Sequence, residues 1–330
     1  MAKLRTLQIL TVLLSVALLS ACARSKDSRS VGRSGRLIVV ATLFPLYDFA
    51  MHIAGDRAEV KLLLPPGAEP HSFEPKPADI VMLNRADIFI YTNRFMEPWA
   101  EKLLKGIGGS SLAVVDASQG VRFIEVNIEG AEGGTQDRHR KSGAKEEHNE
   151  HEGHGADPHI WLDFSNAQTM VDTIAKALIE KDSANRDSYT RNAEAYKARL
   201  ERLDAAYRKG LSSCRKKIFV NGGHYTFGYL ANRYGIRYRA AYGFSPDAEP
   251  TAGNLADISM TLRQQGLNHI FYEELLSPRI AETIAKETDA TLLKLHGAHN
   301  ISKEEFTANR TFIELMEKNL ENLMTGLQCR

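Results

Sequence analysis

Two stretches of strand–helix alternation, separated by about fifty residues of helical periodicity, limit what this 330-residue chain can fold into. In the first stretch, residues 37–42, 60–64, 88–91 and 112–115 are short apolar runs of the kind buried in parallel sheets. Helices are expected behind Phe44-Pro45 and from Pro77, where a proline at the start of a helix costs no N–H. The second stretch repeats the pattern, with strands at 217–221, 237–241, 269–272 and 291–295. Helices are expected at 225–234, 254–265 and 278–288, with one closing helix at 304–327. In between, Val171, Ile174, Ala175, Leu178 and Ile179 recur at helical spacing. Tyr189, Ala193, Tyr196, Leu200, Leu203 and Tyr207 continue the stripe. Residues 184–213 lack proline and predict a helix about 40 Å long at 1.5 Å per residue. Heptads are too few and too imperfect for a coiled coil, so this helix reads as a rigid bridge. The expected fold class is α/β: two lobes at 36–183 and 214–330, each a mainly parallel sheet flanked by helices, with a cleft between them.

The N-terminus has a basic start (Lys3, Arg5) and an apolar core of about a dozen residues, too short to span a bilayer but suited to a signal peptide. The ending Leu19-Ser20-Ala21-Cys22 resembles a bacterial lipoprotein cleavage site, which would lipidate Cys22 and anchor an extracytoplasmic protein to a membrane. Residues 23–35 are small and polar, as in a flexible tether. A net charge of +1 leaves no basic stripe for nucleic acid. Of three cysteines, Cys214 and Cys329 remain for one disulfide, the alternative being two separate thiols.

Histidines carry the chemistry. His71, His224 and His296 each follow an apolar run, where open α/β sheets place ligands, and His159 follows Pro158 just before the helical stretch. His224 lies after Gly222-Gly223 at the expected start of a helix, whose positive end disfavours a protonated ring. His139, His148, His151 and His154 crowd into an acidic, glycine-containing insert at 131–156, read as an auxiliary metal-collecting loop. Glu273 and Glu274 follow a strand and read as partners of the ligands or as lobe-facing structure, while His52 and His269 read as packing or surface residues. Three or four imidazoles suit tetrahedral zinc, whereas manganese prefers more oxygen.

Three segments together carry a family resemblance: residues 67–75 (GAEPHSFEP), 157–163 (DPHIWLD) and 223–230 (GHYTFGYL). The chain resembles the zinc/manganese-binding solute-binding proteins of bacterial ABC importers (ZnuA/TroA-like) across nearly all of residues 37–328. The resemblance implies a monomeric, non-enzymatic receptor that holds Zn2+ between its lobes through His71, His159 and His224 and hands it to a membrane permease. Many members place an aspartate after the last strand, where this chain reads Leu295-His296-Gly297-Ala298-His299. His296 is therefore the expected fourth ligand, with His299 and Glu69 as alternatives. Two other readings compete. A zinc hydrolase would use the same three histidines with an open fourth position and Glu273 as base, although no His-Glu-x-x-His pattern exists. A surface adhesin would need no metal exchange.

Overall fold

Parallel pairing sets both lobes. The computed structural model describes residues 35–107, 111–127, 154–244 and 250–330. The first lobe runs β1 (Leu37–Ala41), α1 (Phe44–Ala54), β2 (Ala58–Leu62), α2 (Pro77–Leu83), β3 (Ile88–Tyr91), α3 (Pro98–Lys105) and β4 (Ala113–Asp116). Its sheet has the order β2-β1-β3-β4, with every neighbour parallel. A short antiparallel ladder pairs β5 (Glu125–Asn127) with β6 (His154–Ala156). Helices α4 (Phe164–Lys181) and α5 (Arg186–Ser212) follow. The second lobe runs β7 (Ile218–Asn221), α6 (Gly228–Tyr234), β8 (Arg237–Ala240), α7 (Ala252–Gln265), β9 (His269–Glu273), α8 (Arg279–Thr288) and β10 (Thr291–Leu295). Two helices, α9 (Lys303–Thr307) and α10 (Phe312–Gly326), close it. Its sheet order, β8-β7-β9-β10, repeats that of the first lobe.

In each sheet the first strand sits between the second and the third, so the chain leaves it in opposite directions. Such a switch point opens a crevice beyond the strands' carboxyl ends. The crevice is bounded by β1 and β3 in one lobe and by β7 and β9 in the other.

The bridging helix α5 has 27 residues, about 40 Å at 1.5 Å each. Tyr189, Ala193, Tyr196, Leu200, Leu203, Tyr207 and Leu211 make its buried face, the 3–4 spacing expected of one helical stripe. That face packs against α1, α4, α6 and α10. Arg233 of α6 ties the helices further, bonding Asp204 of α5 through two nitrogens at 2.8 and 2.9 Å and Asp163 at the start of α4 at 2.6 Å. Among the described residues, no helix is long and apolar enough to cross a membrane.

The expected single closing helix is two. Thr311 and Glu314 form a reciprocal capping box that starts α10, and Asn309 turns the chain before it with a φ of 53°. The capping signal outweighs continuing helical periodicity. Cys214, just past α5, and Cys329, just past α10, form a disulfide across 115 residues. Reducing it should lower unfolding stability by about 3–5 kcal/mol on loop-closure grounds. Urea denaturation with and without reductant checks this, and thiol labelling of the denatured, unreduced chain should find neither sulfur free.

Candidate metal centre

Each histidine reaches the crevice on a loop pinned by bonds from elsewhere. His71 lies on the loop between β2 and α2. Asn300 Nδ2 donates to the carbonyls of Pro65 (2.9 Å) and Ala68 (2.7 Å), and Gly67 N–H donates to Ile301 O at 2.8 Å. Trp99 Nε1 donates to Pro70 O at 3.2 Å, and Glu69 Oε1 accepts the His71 N–H at 3.0 Å. Glu69 thus shapes the loop that carries His71.

His159 opens a single turn of 3-10 helix, Ile160–Leu162. Asn93 Nδ2 holds the Pro158 carbonyl at 3.2 Å, and Trp161 Nε1 donates to Gly297 O at 2.8 Å. Asn93 is itself held by Glu97, a fully buried carboxylate that accepts from the Thr92 and Asn93 N–H groups at 2.8 and 3.1 Å and from the Thr42 hydroxyl. Burial pushes Glu97 up to about 7, against these bonds. The carboxyl ends of β1 and β3 are thereby tied to the loop of His159.

His224 follows β7 directly, and Asn221 Nδ2 donates to its carbonyl at 3.1 Å. Its ring Nδ1 lies 2.7 Å from Glu273 Oε2, at the end of β9. The Thr226 hydroxyl lies 3.0 Å from that same oxygen and 2.9 Å from His224 Nε2. With one proton to give, Thr226 leaves Nε2 open when it donates to the carboxylate.

Ligand nitrogens of His71, His159 and His224 all lie within 4.8 Å of one another. Their ring centroids are 5.2 to 5.5 Å apart, and Nε2 of His159 is 3.3 Å from Nε2 of His224. Two nitrogens about 2.0–2.1 Å from a tetrahedral ion would be separated by about 3.3 Å, so this pair already has the edge length of a zinc site.

Of the two histidines after β10, His296 and His299, the structure turns them opposite ways. The His296 backbone is clamped by Asn319, which accepts its N–H at 2.7 Å and donates to its carbonyl at 2.8 Å. Its ring is engaged at both nitrogens. Nδ1 accepts the Ala298 N–H at 2.9 Å beside Glu274 Oε1 at 3.2 Å, and Nε2 lies 3.3 Å from Glu305 Oε2. Ala298, with a φ of 57°, then reverses the chain and aims His299 at the other rings. The His299 centroid lies 5.6, 6.2 and 6.4 Å from those of His224, His159 and His71. His299 is 1% exposed, and neither ring nitrogen has a hydrogen-bond partner. The expectation that His296 supplies the fourth ring therefore differs from its placement against Glu274 and Glu305. No periodicity marks a left-handed alanine, so this reversal has no local signal in the amino-acid pattern.

The electrostatics differ ring by ring. Burial and the neighbouring His224 hold His71 down to about 3. Burial, then His224 and the other rings, keep His159 and His299 well below the usual imidazole value. For His224 burial also opposes the charge, but Glu273, Glu69 and Glu274 outweigh it and raise the value. The expected helix-dipole effect on His224 is absent, because α6 begins only at Gly228. Asp157, buried beside His159, is pushed up to about 8 by desolvation. Of the other histidines, His52 bonds Asp48 O at 2.8 Å, and His269 lies at the start of β9. His139, His148, His151 and Cys22 lie outside the described residues, and of His154 only the backbone, in β6, is described.

Two like sheets facing a shared imidazole cluster define a two-lobed binding protein built around a metal. The model of the periplasmic zinc-uptake complex component A (ZnuA) matches residues 39–326, and this chain belongs to that family. It is 35% identical over 317 residues to the high-affinity zinc uptake system protein ZnuA of Bacillus subtilis, covering 94% of each chain. It is 32% identical to the zinc-binding lipoprotein AdcA of Streptococcus pneumoniae, matching 97% of this chain but spanning only 60% of that longer protein. Among solved structures, the metal-dependent lipoprotein YcdH of B. subtilis superposes with a TM-score of 0.72 at 33% identity, covering 88% of this chain and all of that one. The laminin-binding protein Lmb of Streptococcus agalactiae, described as having adhesin and metal-transporting activity, reaches a TM-score of 0.75 at 30% identity, covering 89% of this chain and 100% of that one.

The depressed histidines carry a pH signature. His71 takes up its proton near 6.5 when unfolded but only near 3 when folded, so the folded state binds fewer protons in between. Its contribution to stability is lost as pH falls below the unfolded value. In metal-free protein, replacing His71→Gln removes this penalty. The variant should gain about 2–3 kcal/mol on the wild type between about pH 7 and about pH 4.5, read by urea denaturation at each pH. A pH-independent difference would contradict the assignment.

Proposed function

We propose that this chain captures Zn2+ outside the cytoplasm on His71, His159, His224 and His299 and delivers it to the membrane permease of an ABC importer. The observation that carries this reading is the convergence of four imidazoles with ring nitrogens left over. His71 Nε2 and both nitrogens of His299 are buried without hydrogen-bond partners, while His159 and His224 present Nε2 to each other at 3.3 Å. Buried polar atoms are almost always satisfied, and an ion bound by nitrogen lone pairs satisfies one nitrogen of each ring. Four nitrogens form the borderline-soft, tetrahedral set that zinc favours, whereas manganese seeks oxygen and higher coordination.

Family membership supports transport, since the matching model describes a periplasmic component of a zinc-uptake complex. AdcA is named a lipoprotein, which supports attachment of this chain through a lipid on Cys22. The hydrolase reading loses its base, because Glu273 is engaged by His224 at 2.7 Å, Asn221 at 2.8 Å and Thr226 at 3.0 Å. The His299 ring also stands beside the position that a hydrolase would leave open, with its centroid 5.6, 6.2 and 6.4 Å from those of His224, His159 and His71.

Replacing His71, His159, His224 or His299 singly by Ala should weaken zinc binding by orders of magnitude, read by competition against a chromophoric chelator. His296→Ala should cost far less, because its ring serves Glu274 and Glu305. If His296→Ala matched the others while His299→Ala bound normally, the proposed ligand set would be wrong. The histidines of residues 131–156 are read as a weaker auxiliary collector. Deleting residues 131–153 should lower total zinc per chain in native mass spectrometry while sparing one tight site; loss of that site would refute the reading.

A further inference from the structure

In a site of neutral imidazoles, the nitrogen that faces the ion is decided by what holds the other nitrogen. We propose that Glu273 and Asp157 are positioning residues of the zinc site, accepting the Nδ1–H protons of His224 and His159 and so presenting both Nε2 lone pairs to one point. This rests on the zinc-binding reading above. His224 Nδ1 lies 2.7 Å from Glu273 Oε2, and His159 Nδ1 lies 2.9 Å from Asp157 Oδ1. Asp157 Oδ1 also accepts the His159 backbone N–H at 3.0 Å, while Oδ2 has no hydrogen-bond partner, so a proton on this carboxyl belongs on Oδ2 and Oδ1 stays the acceptor. Glu273 Oε1 is likewise held by Asn221 Nδ2 at 2.8 Å, which turns Oε2 toward the ring.

The seats for these carboxylates are built into the loop that carries His224. A Cβ at Gly223 would lie 1.9 Å from Glu273 Oε1, and a Cβ at Gly228 would lie 2.5 Å from Asp157 Oδ2. Any side chain at either position would displace a carboxylate. The segment from Asn221 to Gly228 therefore supplies a ligand, a hydrogen bond to one carboxylate and the space for both. Glu273 is 2% exposed and Asp157 0% exposed, so water cannot substitute as acceptor.

The test uses the mature chain with Glu273→Ala, Glu273→Gln and Asp157→Asn. Removing an acceptor behind a metal-bound histidine typically costs 10–100-fold in affinity. Glu273→Ala should fall in that range, and Glu273→Gln, whose amide oxygen can still accept, should recover most of the loss. Proton–nitrogen correlation spectra of the zinc-bound protein should show His224 and His159 as Nδ1–H tautomers in the wild type and in Glu273→Gln. The His224 signal should be lost or shifted in Glu273→Ala, and the cobalt-substituted d–d spectrum should change only in that variant. Should Glu273→Ala fail to fold by circular dichroism, the wild-type tautomers and the Gln variant still decide. Affinity within twofold of wild type for Glu273→Ala, or coordination of His224 through Nδ1, would overturn the proposal. A wild type that takes up no zinc would overturn the binding reading as well.

Discussion

Holding imidazoles dry and unprotonated next to one another is the constraint from which the rest of this structure follows. Burial removes the charged state as an option for His71, His159 and His299, and like charges nearby reinforce it. Rings in that state cannot stabilise their own positions by ion pairing, so other bonds must orient them. Asp157 does so for His159, Glu273 for His224, and the reversal at Ala298 for His299. The buried carboxylates act in the opposite sense on His224, whose value Glu273, Glu69 and Glu274 raise against its burial.

The lobes meet through hydrogen bonds between loops as well as through packing. Asn300 and Ile301, beyond β10, hold the loop of His71, and Trp161 reaches Gly297 from beside His159. Histidine-bearing loops of one lobe are thus bonded to the histidine-bearing loop of the other. The long helix α5 gives both lobes a common wall, and the disulfide fastens its end to the last helix. Rigid sheets with loops braced across the crevice hold the ligand nitrogens of His71, His159 and His224 within 4.8 Å of one another.

Much of the fold was legible because its signals are local. Buried parallel strands are continuous apolar runs, and the strands at 37–41, 88–91 and 291–295 fall where those runs do. The stripe from Tyr189 to Tyr207 marked the buried face of α5, because one helix face repeats every three to four residues. The break between α9 and α10 was also written locally, in Thr311 and Glu314, yet helical periodicity across residues 304–327 hid it. His71, His159 and His224 stood out because each follows a strand or a proline within a distinctive motif.

By itself, the amino-acid sequence determined two βα lobes, a helical bridge, the family and three converging histidines, all properties carried by short-range patterns. Only tertiary structure separates the surroundings of His296 from those of His299. That difference depends on Asn319, Glu274 and Glu305 capturing one ring, and on a left-handed alanine turning the other inward. It likewise decided that Glu273 should sit behind His224, 49 positions earlier in the chain, through the pairing of β7 with β9 and the space left at Gly223. Hydrogen bonds between residues so far apart leave no periodic trace, because they depend on which strands become neighbours.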